Sequence, residues 1–356
     1  MPMVTHAAEC PIRSSFRVQQ VASMFDVPMA EASRLSLAVE VPSLSEDWTI
    51  GAIVGPSGSG KTSIARAAFG DAVLTTHDWS RDAAVIDGFA GPSIKPITRM
   101  LAAVGFSSPP AWLRPYHVLS NGERFRCDLA RSLLSPGDLV VCDEFTSVVD
   151  RTVAKIGSAA ISKALRSGRV KKRFVAATCH YDVLPWLEAD WVLDMATGTL
   201  ARGRLQRPRI ELRVVRAPQA AWQLFARHHY LSGSLSRGAT CYVALWNDEP
   251  VAFCATIRTL GSRRHKRVTR LVTLPDYQGL GIGSRLLEYV GQHVLNTGER
   301  FTITTSHPAM CEYLNASQRW LCTRVRRSYQ SSRQVFRNAA VRDSQGRAVA
   351  SFEFLG

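Results

Sequence analysis

The sequence predicts an α/β chain of two units in series, a phosphate-loop domain followed by a mixed-sheet α+β domain. Three observations predict it. The apolar run Ile50 to Val54, the loop Gly55-Pro56-Ser57-Gly58-Ser59-Gly60-Lys61-Thr62-Ser63 and the stretch Ile64 to Ala68 read as strand, glycine loop and helix. A second strand, turn and helix between Val268 and Val294 repeats that arrangement around Asp276-Tyr277-Gln278-Gly279-Leu280-Gly281-Ile282-Gly283. Charge divides the chain between the two: residues 1–206 carry 22 Lys and Arg against 20 Asp and Glu, a net of +2, and residues 207–356 carry 22 against 9, a net of +13.

Length supports two cores, since 356 residues exceed the roughly 250–300 at which a single core stops growing. Arg202 to Pro208 is basic and turn-prone, which sets the expected boundaries at 1–201, a basic linker over 202–209, and 210–356. No apolar run approaches the roughly 20 residues of a membrane span. Met1 to Ala8 leads into Cys10, Pro11 and Arg13, which is no signal-peptide pattern. A soluble cytoplasmic protein without membrane contact is expected. The eight cysteines include no C-x-x-C, so they read as small buried hydrophobes, with neither a disulfide framework nor a zinc site.

Within the first unit, Gly55 to Thr62 fits G-x-x-x-x-G-K-[ST] at every fixed position. Gly55, Gly58 and Gly60 let the backbone, with Ser57 and Ser63, wrap an anion. The helix N-terminus points at the phosphates, Lys61 neutralises charge and Thr62 ligates Mg²⁺. Ahead of the loop, Ser14 to Val21 and Leu35 to Val41 are expected as an antiparallel edge sheet, with Phe25 between them. After it, Leu119-Ser120-Asn121-Gly122-Glu123 opens a helix-like segment, Arg124 to Leu134. Asp138 to Cys142 reads as a buried strand ending in Asp143 and Glu144, then come Ser147 to Asp150, and Phe174 to Thr178 precedes His180.

That ordered set resembles the ATP-binding cassette (ABC) ATPases. The resemblance implies Asp143 as the carboxylate that organises Mg²⁺, Glu144 as the base that positions the attacking water, and His180 as the switch histidine at the γ-phosphate. Phe25 would stack on adenine. Ser120, Asn121, Gly122 and Glu123 would form the signature loop and Asp150 would close the D-loop, all completing the ATP site of an opposite subunit in a homodimer. Three features depart from the family pattern. No Gln occurs between Gln20 and Gln206, so Asp87 stands where the Q-loop glutamine is expected. Asn121 and Glu123 replace the usual Gly and Gln. Only 82 positions separate Lys61 from Asp143, a helical subdomain trimmed relative to transporters.

In the second unit, Ile210 to Val215 reads as a strand, Ala217 to Arg227 as a helix, and Thr240 to Trp246 with Val251 to Ile257 as a hairpin around Asn247-Asp248-Glu249-Pro250. The basic turn Arg263 to Arg267, the strand Val268 to Leu274, the helix Ser284 to Val294 and the strand Phe301 to Thr305 follow. Gln278, Gly281 and Gly283 match Q/R-x-x-G-x-G/A, and the series resembles the GNAT family of N-acetyltransferases. The resemblance implies an acetyl- or other acyl-CoA bound by Leu274, Gln278, Gly279, Gly281, Ile282, Gly283 and Ser284. Tyr313 matches the family's acid position; the alternative is a core aromatic with its hydroxyl at the rim. Asp276 and Glu312 are the candidate bases.

His228, His229 and Tyr230 lie where that family places its acceptor. The His-His-Tyr start also resembles the Mom-type phage DNA-modification proteins, GNAT relatives that alter adenine. Arginines supply nearly all of the second unit's cations, and Arg263 to Arg267, Arg324 to Arg327 and Arg333 are expected to hold nucleic-acid phosphates, with Tyr230 or Trp320 stacking a base. The expectation is an ATP-hydrolysing cassette fused to an acyltransferase that modifies a nucleic-acid base, DNA before RNA. A protein or small-molecule amine acceptor, and an ATP-gated nucleic-acid-binding module with a silent acyltransferase half, are the alternatives.

Overall fold

The computed structural model describes residues 3–28, 32–74, 77–91, 93–229, 233–259, 261–262, 264–327 and 348–356. The chain opens with β1 (Met3–Pro11), α1 (Phe16–Met24), β2 (Ala32–Glu40), β3 (Ile50–Val54), α2 (Lys61–Phe69) and β4 (Val73–Leu74). Helices α3 (Ile94–Ala103), α4 (Pro109–Trp112) and α5 (Asn121–Leu134) follow. Then come β5 (Leu139–Cys142), α6 (Arg151–Arg166), β6 (Arg173–Thr178), α7 (Leu184–Leu187), β7 (Trp191–Asp194) and β8 (Thr199–Arg202). The remainder runs β9 (Arg213–Ala217), α8 (Trp222–Ala226), β10 (Thr240–Trp246), β11 (Glu249–Arg258), β12 (His265–Thr273), α9 (Ile282–Leu295), β13 (Arg300–Thr305), α10 (Pro308–Ala316), β14 (Trp320–Arg327) and β15 (Ala348–Phe354).

These elements pack as two compact units. One holds Met1–His77, Pro136–Ser147 and Leu165–Gln206; the other holds Asp78–Ser135, Val148–Ala164 and Arg207–Gly356. Helices α3 to α5 and most of α6 therefore share a unit with the C-terminal stretch.

In the first unit a six-stranded sheet runs in the order β4-β5-β6-β3-β7-β8, parallel except for the β7–β8 pair. Every residue of β3 is buried, which is why Ile50 to Val54 reads as a continuous apolar run. Ile53, Ile64, Val141, Val175, Trp191 and Leu193 form the core under it. Leu35 to Val41 does enter an antiparallel pair, but its partner is Met3–Pro11, in register from Met3 opposite Glu40 to Pro11 opposite Ala32. The expected strand over Ser14 to Val21 is instead helix α1. Ser15 caps it, accepting the Val18 N–H at 3.3 Å, and that local bond outweighs the β-branched character of the run. The basic stretch after β8 is tied down as well. Arg202 pairs with Glu46 at 2.6 Å, Arg204 with Glu188, and the Leu205 N–H donates to the Ala189 carbonyl at 3.0 Å.

The second unit carries a seven-stranded sheet in the order β14-β15-β13-β12-β11-β10-β9. Asn247 and Asp248, with φ of 51° and 66°, make a two-residue turn between β10 and β11, so Glu249 and Pro250 belong to the strand. Alternation along β10 and β11 sends Tyr242, Ala244, Ala252 and Cys254 toward α9 and Val243, Phe253 and Cys241 toward α8. β12 and β13 are parallel and paired only from His265 opposite Arg300 to Arg267 opposite Thr302. Beyond those pairs no ladder joins them, while β12 stays paired with β11 as far as Thr273, and the connection Pro275 to Gly281 leads from there into α9.

Two expectations change here. His265, Lys266 and Arg267 are strand residues, with Lys266 paired to Glu299 at 2.7 Å, so the basic turn is shorter and less charged than its sequence. Of the described cysteines, Cys127, Cys241 and Cys254 are buried, whereas Cys179 and Cys322 are exposed and are not the buried hydrophobes expected. No described helix is long and apolar enough to cross a membrane.

Candidate functional site

The glycine loop leaves β3 and enters α2 through Gly60, the N-cap, at φ 85°, with Gly58 at φ 77°. Residues with a β-carbon rarely adopt either angle. Lys61 Nζ donates to the Gly55 carbonyl at 2.9 Å and the Pro56 carbonyl at 2.7 Å, so the ammonium spans the mouth of the loop. Thr62 Oγ1 donates to Asp143 Oδ1 at 3.0 Å, which brings the two expected Mg²⁺ ligands, 81 positions apart in sequence, into contact. An oxygen donor set of one hydroxyl and one carboxylate beside a phosphate loop fits Mg²⁺, which prefers a few protein oxygens with water and phosphate completing its shell.

Glu144 follows Asp143 at the end of β5 and is exposed, with φ 49°. A non-glycine residue in that region is held there by its surroundings. Its N–H donates to Asp143 Oδ1 at 3.0 Å, and Ser147 Oγ donates to its carbonyl at 2.7 Å. Two residues on, Thr146 Oγ1 lies 3.0 Å from His180 Nδ1, and Thr178 Oγ1, which donates to the Phe145 carbonyl at 2.8 Å, accepts the His180 N–H at 3.1 Å. His180, after β6, thus meets the turn that follows Asp143 and Glu144 through Thr146. Phe25 caps the end of α1 with 70% of its surface exposed, an open face for a ring.

In the other unit, Ser120 caps α5. Its hydroxyl accepts the Glu123 N–H at 3.3 Å while Glu123 Oε2 accepts the Ser120 N–H at 2.9 Å. The glutamate in place of glutamine therefore completes a capping box. Asn121 and Gly122 form the first turn above it, and Gly122 faces Val153 of α6. Asp150 caps α6, accepting the Thr152 and Val153 N–H groups at 2.9 Å each. Asp87 is exposed in a 3-10 turn, Val85–Gly88.

The second glycine turn is built with parts of this same unit. Leu274 donates its N–H to the Val251 carbonyl at 3.0 Å, which fixes the exit from β12. The Gln278 side chain is held at both ends: Nε2 donates to the Thr273 carbonyl at 3.1 Å and Oε1 accepts the Ser107 N–H at 2.9 Å. Gly279 and Gly281 have φ of 95° and 87°, and Gly281 caps α9. Gly283 passes Thr273 so closely that a β-carbon would lie 2.7 Å from its hydroxyl. Arg285 is the first residue of α9 outside its own ladder to find a backbone acceptor, Gly281, at 3.0 Å, so the amides of Ile282, Gly283 and Ser284 are the open donors of a helix N-terminus. That is an anion-binding geometry.

Tyr313, on α10, donates its hydroxyl to Glu288 Oε1, and Arg319 donates to Glu288 Oε2 at 2.9 Å. Burial and this carboxylate push the phenol above its ordinary range. The hydroxyl expected to serve a leaving group thus has Glu288 as its hydrogen-bond acceptor. Of the candidate bases, Glu312 pairs with Arg99 at 3.4 Å, and Asp276 is exposed with its carbonyl accepting from Arg126 at 3.1 Å. Where the acceptor is expected, Arg227 Nε donates to His228 Nε2 at 3.0 Å, and burial followed by the Arg227 charge lowers the His228 pKa. His229 lies edge-on to Trp222 at 5.7 Å, and Tyr230 falls outside the described residues. Among the described residues no three His, Cys, Asp or Glu side chains converge as metal ligands.

Trp320 is 5% exposed and packs against Phe354 at 4.9 Å. It is core, and a base has no access to it. Arg324 and Arg326 alternate onto one exposed face of edge strand β14, while Arg263 and Arg333 lie outside the described residues. Sequence reading missed four groups that touch the second glycine turn or its neighbourhood: Arg126 and Lys163, whose nitrogens reach the Asp276 and Gly279 carbonyls, and Ser107 and His307, the latter 3.1 Å from the Ser107 carbonyl. Their separations of 116 to 200 positions leave no local signal.

Residues 237–320 match the family model described as an acetyltransferase (GNAT) domain. No curated protein matches the sequence. Among solved structures, an IAA acetyltransferase from Bacillus cereus is similar over 40% of this chain and 99% of its own, with 14% identity and a TM-score of 0.31. The ribosomal-protein-S18-alanine N-acetyltransferase from Escherichia coli is similar over 40% of this chain and 93% of its own, with 16% identity and a TM-score of 0.32. A dimeric ATP-binding cassette in a post-hydrolysis state, bound to ADP and Pi, is similar over 50% of this chain and 94% of its own, with 14% identity and a TM-score of 0.39. The functional reading rests on the residues themselves.

Proposed function

We propose, from the premise that residues 237–320 carry a GNAT acetyltransferase domain, that the protein is an acyl-CoA-dependent N-acyltransferase joined to an ATP-hydrolysing cassette, and that its acceptor is a nucleic-acid base, DNA before RNA. The observation that carries the reading is the turn Gln278 to Gly283, set where β12 and β13 no longer pair with each other and with its helix amides open. A thioester's nucleotide pyrophosphate suits those amides, with Gln278 holding the turn in shape. Transfer to an amine forms a C–N bond, breaks the C–S bond and leaves a thiolate. The chain's part is to hold both substrates in line and to take the amine's proton.

At the phosphate loop, Lys61 and the Gly58 to Ser63 backbone suit the phosphates of ATP, and Thr62 with Asp143 suits Mg²⁺, which would neutralise charge on the phosphate oxygens. Glu144 is the group placed to orient water, and the Thr146–His180 contact ties the switch histidine to it. Ser120 to Glu123 and Asp150 are assigned to the second nucleotide site of a homodimer. Support for a nucleic-acid acceptor is electrostatic: the net of +13 over 207–356, with Arg324 and Arg326 exposed together and Arg264 and Arg267 also exposed.

The test is to incubate the protein with ATP, labelled acetyl-CoA and DNA or RNA, digest the polymer to nucleosides and weigh them. A labelled nucleoside that disappears in Gly281→Glu and Lys61→Ala variants is the expected result. Tight acetyl-CoA binding with no nucleoside adduct moves the acceptor to a protein or small-molecule amine.

A further inference from the structure

We propose that Lys163, on α6, is a ligand of the acyl donor's pyrophosphate, so that the donor site is completed by a helix lying outside residues 237–320. The inference rests on the acyl-CoA reading above.

Lys163 Nζ lies 3.4 Å from the Gly279 carbonyl oxygen. It also lies 3.0 Å from the position a β-carbon on Gly281 would take. The ammonium thus stands directly against the glycine turn, beside Gly281, the residue that caps α9 and precedes its open amides. An ammonium carries three donors and can bond a phosphate oxygen while it keeps a protein partner.

Neighbouring parts of the same unit hold the ammonium and the turn together. A β-carbon on Gly279 would lie 2.8 Å from that of Ala160, one turn before Lys163 on α6. Arg126, on α5, is 1% exposed and donates to the Asp276 carbonyl at 3.1 Å, while its Nε has no hydrogen-bond partner among the described residues. Burial lowers the pKa of the Arg126 guanidinium, with the carboxylates of Asp276, Glu123 and Asp150 opposing the shift, and an anion at the turn would add to that compensation. Arg126 is a positioning residue here. It holds the turn and adds positive potential, and Lys163 makes the contact.

The chemistry asks for a ligand with a diphosphate carried on a nucleotide, and acetyl-CoA is the probe. Its affinity would be measured by calorimetry for the full-length protein and its Lys163→Met and Lys163→Arg variants, with melting temperatures taken without ligand. Methionine keeps the packing of the lysine stem and removes the charge. Lys163→Met is expected to bind acetyl-CoA about tenfold or more weakly, the scale of a lost charged hydrogen bond, at an unchanged melting temperature. Lys163→Arg is expected to recover affinity to within about threefold.

Equal affinity of the wild type and Lys163→Met overturns the inference. A loss shared equally by Lys163→Met and Lys163→Arg, with a lowered melting temperature in both, overturns it too, since the lysine would then be packing alone. A wild-type protein that binds no acetyl-CoA overturns the donor reading itself, an outcome distinct from either of these.

Discussion

Gly105 and Gly279 meet backbone to backbone: a β-carbon on Gly279 would stand 3.0 Å from the Gly105 α-carbon, and one on Gly105 would stand 2.6 Å from the Gln278 carbonyl oxygen. Both residues have positive φ, 87° and 95°. The contact closes the turn that leads into α9 against the loop after α3, and it leaves no room for a side chain. Gly279→Ala adds a clash with the Ala160 β-carbon to the cost of a left-handed alanine. We expect a loss of about 1–3 kcal/mol, read as a lower denaturant midpoint. A midpoint equal to the wild type would show that the two backbones are not held so close in solution.

Glu144 offers a test at the other glycine loop. Its backbone is fixed at φ 49° by bonds from its own N–H to Asp143 and from Ser147 to its carbonyl, neither of which involves its carboxylate. Glu144→Gln therefore preserves the turn while removing the base. ATP binding is expected to survive, and hydrolysis to fall by about a hundredfold or more, the usual contribution of a positioned base. Hydrolysis within a few-fold of the wild type would move the role to another residue.

Tyr313 separates a chemical role from a packing one. Because its hydroxyl donates to the buried Glu288, Tyr313→Phe leaves that carboxylate with Arg319 and one donor fewer. The expected cost is about 1–2 kcal/mol of stability, with the rate of acyl transfer changed less than tenfold. A hundredfold fall in kcat at unchanged stability would restore the tyrosine as the acid.

Much of the first site was legible because its residues are neighbours in sequence. The glycine loop, Lys61 and Thr62 lie on one strand-loop-helix unit, and Asp143 and Glu144 end an unmistakably buried strand. The order of motifs supplied the pairing of Thr62 with Asp143. The strand expected over Ser14 to Val21 failed for a local reason, because Ser15 caps a helix and a capping bond is invisible to a β-branched count. Trp320 reads from sequence as an accessible ring. Its burial depends on Phe301 and Phe354 from two other strands, which no nearby residue announces. Glu123 was read as a departure from a binding loop, and it is also half of a capping box. The partners of the second turn could not be read at all, since Ser107, Arg126 and Lys163 come from helices and a loop more than a hundred positions upstream.

Acidification tests the half-buried histidines. Burial lowers the pKa of His307, with its bond to the Ser107 carbonyl opposing the shift, and burial together with the Arg227 charge lowers that of His228, with Asp276 and Glu123 opposing. Burial lowers His265 as well. Each folded imidazole thus holds a proton less readily than in the unfolded chain, where the ordinary value is 6.5. Below that value the unfolded state binds more protons, so stability rises with pH there and the contribution is complete above it. The denaturant midpoint is expected to be level from neutral pH upward and to decline as pH falls below 6.5 and through the lower folded values. Replacing His307 with Asn removes one proton from that balance and is expected to flatten the decline between neutral pH and the acid limb. A decline of equal steepness in His307→Asn would place the acid sensitivity in the carboxylates instead.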